Sequence, residues 1–343
     1  MKNKKLIIFA LLFSLGLSSC GEKKNDVSIF LYSGKDTFIG SIKNLLIDSF
    51  KNEFNYEIYD GQLSQAIQNK QIVGSIEDNN SLLVVNLVDR IASFSIIEKA
   101  QNKNIPLIFM NREPLEKYMS NTKNVYYIGT DPEEEGKLQA EIANDLFLGS
   151  SSFKEESSIY DKNHDGKLQV VLIKGEQGHQ DTEKRSEYCI SQLNSLGYEV
   201  DLIATSFCNW SKDLAQTEFE RIYTDSLNEE GLSSIELVLS NNDDMAIGCS
   251  EYLKTLENYD NEKTIQGQYF PIIGVDATSV GMESIEDGTI YGTIKNNALK
   301  QAEAIFNVGR NLIYKKSLDD LPYTFNSNHY LRIKGTKIVK TNN

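Results

Sequence analysis

Cysteine is scarce in this chain: there are four among 343 residues, and no two of them are closely spaced. Setting aside Cys20 near the N-terminus leaves Cys189, Cys208 and Cys249, an odd number. Such a set excludes a disulfide scaffold and has no spacing typical of a zinc site. We therefore expect these three cysteines to behave as small buried hydrophobic residues.

Beyond its first five residues the chain also lacks a cluster of basic residues, and its formal net charge is −14 at pH 7. A protein that binds nucleic acid or an anionic surface needs a basic patch to offset such a charge. Beyond the first nineteen residues, no apolar run is long enough to cross a membrane. These absences exclude nucleic-acid binding and membrane-spanning classes, and they are compatible with an acidic protein that binds a cation.

The N-terminal residues have the features of a targeting segment. Three lysines within the first five residues precede an apolar stretch, 6–17, that is too short to span a bilayer. The small residues before Cys20 resemble a bacterial lipoprotein signal, in which cleavage precedes a cysteine that then carries lipid. We therefore expect 1–19 to be removed, Cys20 to be lipidated and 20–26 to form a short tether. The alternative is an ordinary secretory signal with an incidental cysteine. Under either interpretation we expect the protein to be exported. Removal of 1–19 changes the formal net charge to −17, because three lysines and no acidic residue are lost.

The remaining chain, about 320 residues, is too long for one small core and predicts two domains. Short apolar runs rich in β-formers alternate with longer segments of helical period. The runs are 27–31, 82–85, 106–110, 169–173, 236–239 and 271–275, and the helical segments include 40–52, 90–101, 133–147, 182–196 and 244–256. Nearly continuous apolar strands separated by helices predict parallel sheets covered on both faces. We predict an α/β fold with two doubly wound domains in tandem, divided at about Asp131.

Polar side chains follow nearly every predicted strand, at the edge of the sheet where ligands of such folds bind. They are Asp36, Asn111, His179, Asp181, Arg185, Asn241, Asn242, Asp276, Asn296 and Asn297. Any one of them is explained by a turn or a helix cap. Together, carboxylates, amides and a guanidinium suit a polyhydroxylated ligand in a shared cleft, because each hydroxyl is both donor and acceptor. Phe38 and Trp210, the only tryptophan, are the candidate rings for the apolar faces of that ligand.

The stretch from Asp161 to Gln169 has the pattern of the first nine positions of an EF-hand calcium loop. Oxygen-bearing side chains occupy positions 1, 3, 5 and 9, and Gly166 occupies position 6, where the loop turns sharply. The glutamate expected at position 12 is replaced by Leu172, inside an apolar run. The loop therefore lacks its last carboxylate locally, and a solvated turn is the alternative.

Several segments together resemble the galactose/glucose-binding type of the periplasmic binding protein superfamily. They are 111–114 (Asn-Arg-Glu-Pro), 175–179 (Gly-Glu-Gln-Gly-His), 240–243 (Ser-Asn-Asn-Asp), 274–276 (Gly-Val-Asp) and 292–296 (Gly-Thr-Ile-Lys-Asn). The resemblance extends from about Val27 to the region of Ile333. It implies that Phe38 and Trp210 stack on a pyranose ring. It also implies that the sugar hydroxyls bind Asp36, Asn111, His179, Asp181, Arg185, Asn242, Asp276 and Asn296.

The resemblance implies a periplasmic binding protein type I architecture, with two doubly wound parallel-sheet domains joined by a three-strand hinge. Ligand capture then follows from closure of the two domains. The expected N-terminal domain comprises 27–129 and 298–326, and the expected C-terminal domain comprises 130–297 and 327–343. The hinge strands are expected near 129–131, 296–297 and 327–328.

The same family carries a calcium loop whose last carboxylate comes from a distant strand, and the matching residue here is Glu236. The resemblance therefore implies a structural Ca²⁺ in the C-terminal domain. Its expected ligands are the side chains of Asp161, Asn163, Asp165 and Gln169, the backbone carbonyl of Lys167 and both carboxylate oxygens of Glu236. Lys162 and His164 are expected to point outward.

The function implied by the resemblance is that of a solute-binding lipoprotein. It captures D-glucose or D-galactose as a monomer, with Asp36 accepting from the hydroxyl that distinguishes the two, and delivers the sugar to an ATP-driven permease. A chemoreceptor is a further candidate partner. The expected location is the outer face of the cytoplasmic membrane, through the lipid anchor, or the periplasm, and no enzymatic activity is expected.

Three alternatives stay open at this level. Asp36, Asp181 and Asp276 in one cleft suit a glycosidase, but Arg185 and His179 are expected to keep those carboxylates ionised, without a raised pKa. A sensor or surface protein of the same fold makes the same sugar contacts and signals to a receptor or kinase. A different sugar, such as a pentose, is the third alternative, and the complete set of hydroxyl-binding residues argues against it.

Overall fold

The computed structural model describes residues 26–147, 153–155, 160–256 and 270–340. The predicted signal at 1–19, Cys20 and most of the tether lie outside these residues, so those predictions stay predictions. Within the described chain, no helix combines the length and the apolar character needed to cross a membrane. Cys189, Cys208 and Cys249 are all buried free thiols, as expected.

Six parallel strands form the first sheet. They are β1 (Asp26–Leu31), β2 (Asn55–Asp60), β3 (Leu82–Val85), β4 (Leu107–Met110), β5 (Val125–Thr130) and, much later in the chain, β11 (Tyr330–Ile333). Their order across the sheet is β11-β5-β4-β3-β1-β2, and every neighbouring pair is parallel. β3 and β4 are entirely buried apolar runs, so both faces of this sheet need a cover of helices.

Helices supply that cover on each face of the first sheet. They are α1 (Thr37–Phe50), α2 (Gln65–Glu77), α3 (Ser93–Asn102) with a short 3₁₀ turn before it (Arg90–Ala92), α4 (Glu116–Met119) and α10 (Ala298–Ile313). One face packs against α1 and α10, where Ile42 and Ile305 join a single apolar core. The other face packs against α2 and α3, where Ile72 and Ile96 join a second core.

The second sheet repeats this plan with one reversed strand. Its strands are β6 (Lys167–Lys174), β7 (Glu199–Phe207), β8 (Leu237–Ser240), β9 (Ile272–Ile273), β10 (Gly292–Lys295) and β12 (Thr336–Val339), in the order β12-β10-β9-β8-β6-β7. All neighbours are parallel except β12, which runs antiparallel to β10. The helices are α5 (Pro132–Leu146), α6 (Gln180–Ser195), α7 (Lys212–Asp225), α8 (Asp243–Leu253) and α9 (Ser279–Glu286). The predicted α/β fold with two doubly wound parallel sheets is thereby confirmed.

The chain passes between the two domains three times. The first passage lies between β5 and α5, because α5 packs against α6 in the second domain. The second lies between β10 and α10, because α10 returns to pack against α1. The third lies between β11 and β12, at Lys334 and Gly335, because these two strands belong to different sheets. The two domains are therefore joined by three short connections.

The predicted position of the third passage, near 327–328, is wrong, and so is the assignment of all of 327–343 to the second domain. β11 pairs in parallel with β5, with Tyr330 opposite Tyr127. Tyr330 and Leu331 are buried in the two cores of the first domain. Burial of these side chains holds 330–333 on the first sheet, so the chain leaves that domain only after Ile333.

Candidate functional site

One cavity, which we call the inner cavity, lies between the two domains beyond the carboxyl ends of their strands. All ten residues predicted to bind the ligand line it: Asp36, Phe38, Asn111, His179, Asp181, Arg185, Trp210, Asn242, Asp276 and Asn296. Its free volume in this closed form is about 30 Å³. That is well below the roughly 300–1,000 Å³ typical of small-molecule pockets, so a ligand requires the two domains to move apart slightly.

Asp36 stands at the start of α1, on the wall formed by the first domain. Its Oδ1 accepts the backbone N–H of Ile39 at 2.7 Å, as a helix N-cap does, and its Oδ2 accepts the Tyr32 hydroxyl at 2.6 Å. The guanidinium of Arg112 lies 3.7 Å from the centre of the Tyr32 ring and donates to the Val88 carbonyl at 2.9 Å. Two donors thus fix the orientation of the Asp36 carboxylate, and each oxygen keeps a lone pair for a ligand.

Asn111 follows β4 and has a left-handed backbone, with φ of 58°. Its carbonyl accepts the Tyr127 hydroxyl at 2.8 Å, and its N–H donates to the Ile128 carbonyl at 3.1 Å. Asn86 donates to its side-chain oxygen at 3.3 Å. Backbone conformations of this kind cost energy and cluster at functional sites. The surrounding hydrogen bonds maintain the conformation and turn the side-chain amide toward the cavity.

His179 caps the start of α6 and faces the cavity as a neutral donor. Its Nδ1 accepts the backbone N–H of Asp181 at 3.1 Å, so the ring proton is on Nε2. Burial, together with the nearby charges of Arg112 and Arg185, holds the pKa of His179 well below its ordinary value. The neutral ring therefore presents an N–H group to the cavity.

Arg185 makes buried ion pairs at the base of the cavity. Its Nε lies 2.7 Å from Glu135 Oε2, its Nη2 lies 3.4 Å from Asp181 Oδ2, and its Nη1 donates to the Asn241 carbonyl at 2.8 Å. Asp181 Oδ1 is buried and has no hydrogen-bond partner among the described residues. A buried unpaired acceptor costs about 1–3 kcal/mol. This oxygen is therefore free to accept a hydrogen bond from a group in the cavity.

Asp276 and Asn296 form the wall of the cavity at the ends of β9 and β10. Asn296 donates to Asp276 Oδ1 at 3.2 Å, and Gln301 donates to the Asn296 side-chain oxygen at 2.6 Å. The backbone of Asp276 has φ of 122°, and its N–H donates to the Ile294 carbonyl at 2.8 Å. This chain of hydrogen bonds fixes which atoms of the pair are acceptors and which are donors.

Burial dominates the ionisation of the cavity carboxylates. It raises the pKa of Asp181, against the charge of Arg185, and raises the pKa of Asp276 well above its ordinary value. It also raises the pKa of Glu135 to about 7. The expectation that Arg185 and His179 keep the cavity carboxylates free of a raised pKa is wrong for Asp181 and Asp276, because the desolvation of the closed cavity outweighs the attraction of the guanidinium.

Trp210 lies on the opposite side of the cavity mouth from Tyr32. Its ring packs on the backbone of Gly175, where an added methyl group would overlap the ring. Its edge meets the His179 ring, with centroids 5.1 Å apart and planes at 78°. The backbone of Trp210 is left-handed, with φ of 63°. Glycine at 175 is therefore needed to seat the indole against the cavity.

The helix-cap interpretation of the polar residues is also correct for part of the set. Asp36 and His179 cap α1 and α6, and Asn242 caps α8 by accepting the Met245 N–H at 2.9 Å. Each of these side chains caps a helix with one atom and lines the cavity as well. Capping and lining are compatible because helix N-termini and strand carboxyl ends meet at the same edge of a parallel sheet.

Two hydrogen-bonded contacts bridge the domains at the cavity mouth. Arg112 Nη2 lies 2.7 Å from Glu176 Oε2, and the Thr37 hydroxyl donates to Asp244 Oδ2 at 2.7 Å. Arg112 and Thr37 belong to the first domain, and Glu176 and Asp244 to the second. These contacts require the domains to be close together, so the structure is a closed form.

Three cavity residues were missed by sequence reasoning, and two candidates lie elsewhere. Tyr32, Ile39 and Arg112 line the inner cavity. Ile39 and Arg112 directly follow the predicted residues Phe38 and Asn111, which was the available signal, whereas Tyr32 lies four residues before Asp36. Asn241 instead accepts the Gly175 N–H at 3.0 Å, and Asn297 caps α10.

The loop from Asp161 to Gln169 lies beside the strand end that carries Glu236. Glu236 Oε1 accepts the Lys162 N–H at 2.6 Å, and its Oε2 accepts the Gln169 N–H at 3.0 Å. Asp161 Oδ2 accepts the Gly166 N–H at 2.9 Å. The structure thus brings Glu236 to the loop, although 67 residues separate it from Gln169.

The donor set of this loop fits a hard cation. It consists of carboxylate, amide and carbonyl oxygens, and Gln169 Oε1 is buried without a partner. The amides of Asn163 and Gln169 donate to Asp165 Oδ2 at 3.0 and 2.9 Å, so this carboxylate is held by amide donors. Within the described chain, no three His, Cys, Asp or Glu side chains are gathered as a metal cluster. Calcium at this loop therefore stays a prediction.

Lys162 does not point outward as expected, whereas His164 is exposed. The Lys162 ammonium donates to the Ile235 carbonyl and lies 4.8 Å from the centre of the Phe270 ring. Burial lowers the pKa of Lys162 to about 8. The side chain turns inward because Glu236 draws the backbone of residue 162 against the strand.

Comparisons with known proteins agree with this architecture. The periplasmic binding protein domain family matches residues 27–317. The chain is 30% identical over 319 residues to the D-galactose/methyl-galactoside binding periplasmic protein MglB of Haemophilus influenzae, covering 92% of this chain and 90% of that protein. It is 22% identical over 298 residues to the ribose import binding protein RbsB of Escherichia coli, covering 86% of each.

Solved structures show the same fold. A periplasmic solute-binding protein from Actinobacillus succinogenes with bound D-allose has a TM-score of 0.75 at 17% identity, covering 92% of this chain and 98% of that one. A solute-binding protein from Bacillus halodurans with bound myo-inositol has a TM-score of 0.73, covering 93% and 96%. The expected resemblance and the type I architecture are confirmed, and the family implies a location outside the cytoplasm. The chain belongs to the periplasmic binding protein domain family.

Proposed function

We propose that this protein is an extracytoplasmic solute-binding protein that captures D-galactose or D-glucose by closing its two domains on the sugar. The observation that carries the proposal is the inner cavity, where ten side chains from both domains converge. Its relative MglB is named for D-galactose and methyl-galactoside, and it covers nearly the whole chain.

The chemistry of the cavity supports a neutral, polyhydroxylated ligand. Both acceptors and donors line it: Asp36 and the unpaired Asp181 Oδ1 accept, whereas His179 Nε2–H and the Asn111 amide donate. A hydroxyl needs one of each. Trp210 supplies an aromatic surface for the apolar C–H face of a pyranose ring.

The single tryptophan gives a direct test. We would titrate the protein from residue 21 onward with glucose, galactose, ribose and xylose and follow the emission of Trp210. We expect a saturable change with the hexoses alone, at micromolar sugar. No change with any sugar, in a folded sample with calcium present, contradicts the proposal. Incubation with a chromogenic galactoside is the control for the glycosidase alternative, and release of the chromophore would support that alternative.

We further propose that the closed form delivers the sugar to an ATP-driven permease from a lipid anchor at Cys20. Closure brings surfaces of both domains together at the cavity mouth, which gives a permease a way to recognise the loaded state. A chemoreceptor is a second candidate partner for the same form. A pull-down of membrane proteins with and without glucose tests the partner, and recovery of a kinase or receptor alone would favour the sensor alternative.

We also propose that the loop 161–169 binds a structural Ca²⁺ with Glu236. The side chains of Asp161, Asn163, Asp165 and Gln169, the Lys167 carbonyl and both Glu236 oxygens would hold it, and the unpaired Gln169 Oε1 supports this. We expect a chelator to lower the melting temperature and Ca²⁺ to restore it, because a ligand at about 1,000 times its Kd stabilises by about 4 kcal/mol. Glu236→Gln should lose the calcium response, and Glu199→Gln should keep it. A melting temperature indifferent to chelator and Ca²⁺ would contradict the site.

A further inference from the structure

A second, larger cavity adjoins the inner cavity on its solvent side, and we call it the outer groove. Tyr32, Asp36, Arg112 and Trp210 line both, so the two are continuous. The groove has about 710 Å³ of free volume, against about 30 Å³ in the inner cavity. The closed form therefore leaves a wide space at the mouth of the site it encloses.

The contacts that bridge the domains stand at this groove. Arg112 and Glu176, whose ion pair spans 2.7 Å, both line it. Asp244, which accepts the Thr37 hydroxyl, also lines it. Because these contacts are formed while the groove stays open, a group attached to an enclosed sugar can project into it without preventing closure.

The walls of the groove combine ring surfaces with an exposed aliphatic side chain. Trp210 and Tyr32 offer aromatic surface, and Leu63 is 67% exposed. Leu63 and the residue before it, Gln62, have left-handed backbones with φ of 59° and 52°. The Leu63 N–H donates to the Tyr32 carbonyl at 2.9 Å, which holds this turn beside the cavity mouth. Leu63 thus adds aliphatic surface to the groove beside the Trp210 ring.

The charges of the groove favour a neutral ligand over an anionic one. The basic residues that line it are Lys35, Arg112 and Lys212, and the acidic ones are Asp36, Glu176, Asp213 and Asp244. The acids outnumber the bases, so a phosphate or carboxylate gains nothing there. A second pyranose ring fits such a surface. Its C–H face would pack on the apolar side chains of the groove, Trp210 and Leu63, and its hydroxyls would bond the polar groups around them.

We propose that the outer groove is a second sugar subsite and that the ligands of this protein include disaccharides. One hexose ring of such a disaccharide would fill the inner cavity, and the other would lie in the outer groove. This rests on the proposed hexose site. The second ring lies between Trp210 and Leu63, outside the closed domains.

Calorimetric titration separates this inference from the proposed function. Glucose and galactose would be compared with maltose, cellobiose, lactose, melibiose and gentiobiose, which vary the linkage through which the second ring leaves the cavity. We expect at least one disaccharide to bind within about tenfold of the better monosaccharide. If the hexoses bind and every disaccharide fails at roughly 1 mM, the subsite is disproved while the proposed function stands. If neither the hexoses nor the disaccharides bind, both the second subsite and the proposed function are contradicted.

A matched pair of variants tests the position of the second ring. Leu63→Ser removes the aliphatic surface, and Ile91→Ser removes one of equal exposure, 66%, that lines neither cavity. We expect Leu63→Ser to weaken the disaccharide about fivefold with monosaccharide affinity unchanged. Ile91→Ser should change neither the disaccharide affinity nor the monosaccharide affinity. An equal loss for both ligands, or no loss in Leu63→Ser, overturns the placement of the second ring in the groove.

Discussion

The hydroxyl of Tyr32 sets the orientation of a carboxylate that is expected to choose between two sugars. It donates to Asp36 Oδ2 at 2.6 Å, while Ile39 N–H holds the other oxygen at 2.7 Å. A hydrogen bond to an ionised group is shorter and stronger than one between neutral groups. Without the hydroxyl, the Asp36 carboxylate can rotate about the helix-capping bond, and its alignment with a ligand hydroxyl is lost.

We expect Tyr32→Phe to weaken hexose binding by about tenfold and to change the ratio of glucose to galactose affinity. Calorimetry with both sugars measures the two effects. Tyr59→Phe is the control, because Tyr59 also donates to a carboxylate, that of Glu57, but does not line the inner cavity. A lower melting temperature with an unchanged affinity ratio would indicate a merely structural role for Tyr32.

Single residues differ in how far sequence predicts them. Asp36 and Asn242 are the type of residue that follows a strand and caps a helix, so their position alone places them at the sheet edge where the cavity forms. Tyr32 and Arg112 were not predicted, because their place in the cavity depends on a ring and a guanidinium stacking 3.7 Å apart. Lys162 turned inward for a similar reason, since the pull of Glu236 on its backbone comes from a distant strand.

Most strands at the centre of the sheets were predicted from their apolar runs, with β5 as an exception, and the edge strands β2 and β7 were not. β2 and β7 alternate exposed and half-buried residues, because each has a neighbour on one side only. Edge strands contain polar residues that hide the strand pattern. β11 and β12 are equally short, and only two residues separate them, so their assignment to different sheets depends on tertiary packing that local sequence does not encode.

The first turn of α8 contains a fully buried acid, Asp243. Its Oδ1 accepts the Thr293 hydroxyl at 2.6 Å, and its Oδ2 accepts the Thr278 N–H at 2.9 Å. Burial raises the pKa of Asp243 to about 7, against the effect of these hydrogen bonds. Between about pH 4 and pH 7 the folded protein therefore holds a proton that the unfolded chain releases. The stability that this proton contributes is complete at low pH and is lost as the pH rises through 7.

We expect Asp243→Asn to reduce the loss of stability between pH 5 and pH 8, because asparagine does not titrate. Each proton contributes up to about 1.4 kcal/mol per pH unit to that slope. Urea unfolding without sugar, at fixed calcium, measures it at several pH values. Asp225→Asn, at an acid whose side chain is 67% exposed, is the control. If the free energy of unfolding falls with pH equally in the wild type and in Asp243→Asn, the expectation is contradicted.

At the scale of the whole molecule, closure depends on a few contacts between the domains. The Arg112–Glu176 pair is one of them, and Arg112 is buried with 3% of its side chain exposed, against 42% for Glu176. When the domains separate, both groups return to water and the pair is lost. The pair therefore stabilises the closed form only.

We expect Glu176→Ala to raise the Kd for hexose about threefold, mainly through faster dissociation. Stopped-flow emission of Trp210 measures the rate. Glu133→Ala is the matched control, because Glu133 pairs with Lys184 inside the second domain and is also 42% exposed. If the two substitutions change the dissociation rate of the sugar equally, the Arg112–Glu176 contact does not specifically stabilise the closed form.

The three passages between the domains also set an order of folding as the chain is made. Strands β1 to β5 are complete by Thr130, but the helix that covers one of their faces, α10, begins only at Ala298. Until then that face, with Val84 and Ile108 on it, is covered by α1 alone. The domain that starts first is therefore finished last, after β6 to β10 of its neighbour have been synthesised. Its fold cannot be completed during synthesis until nearly the whole chain has been made.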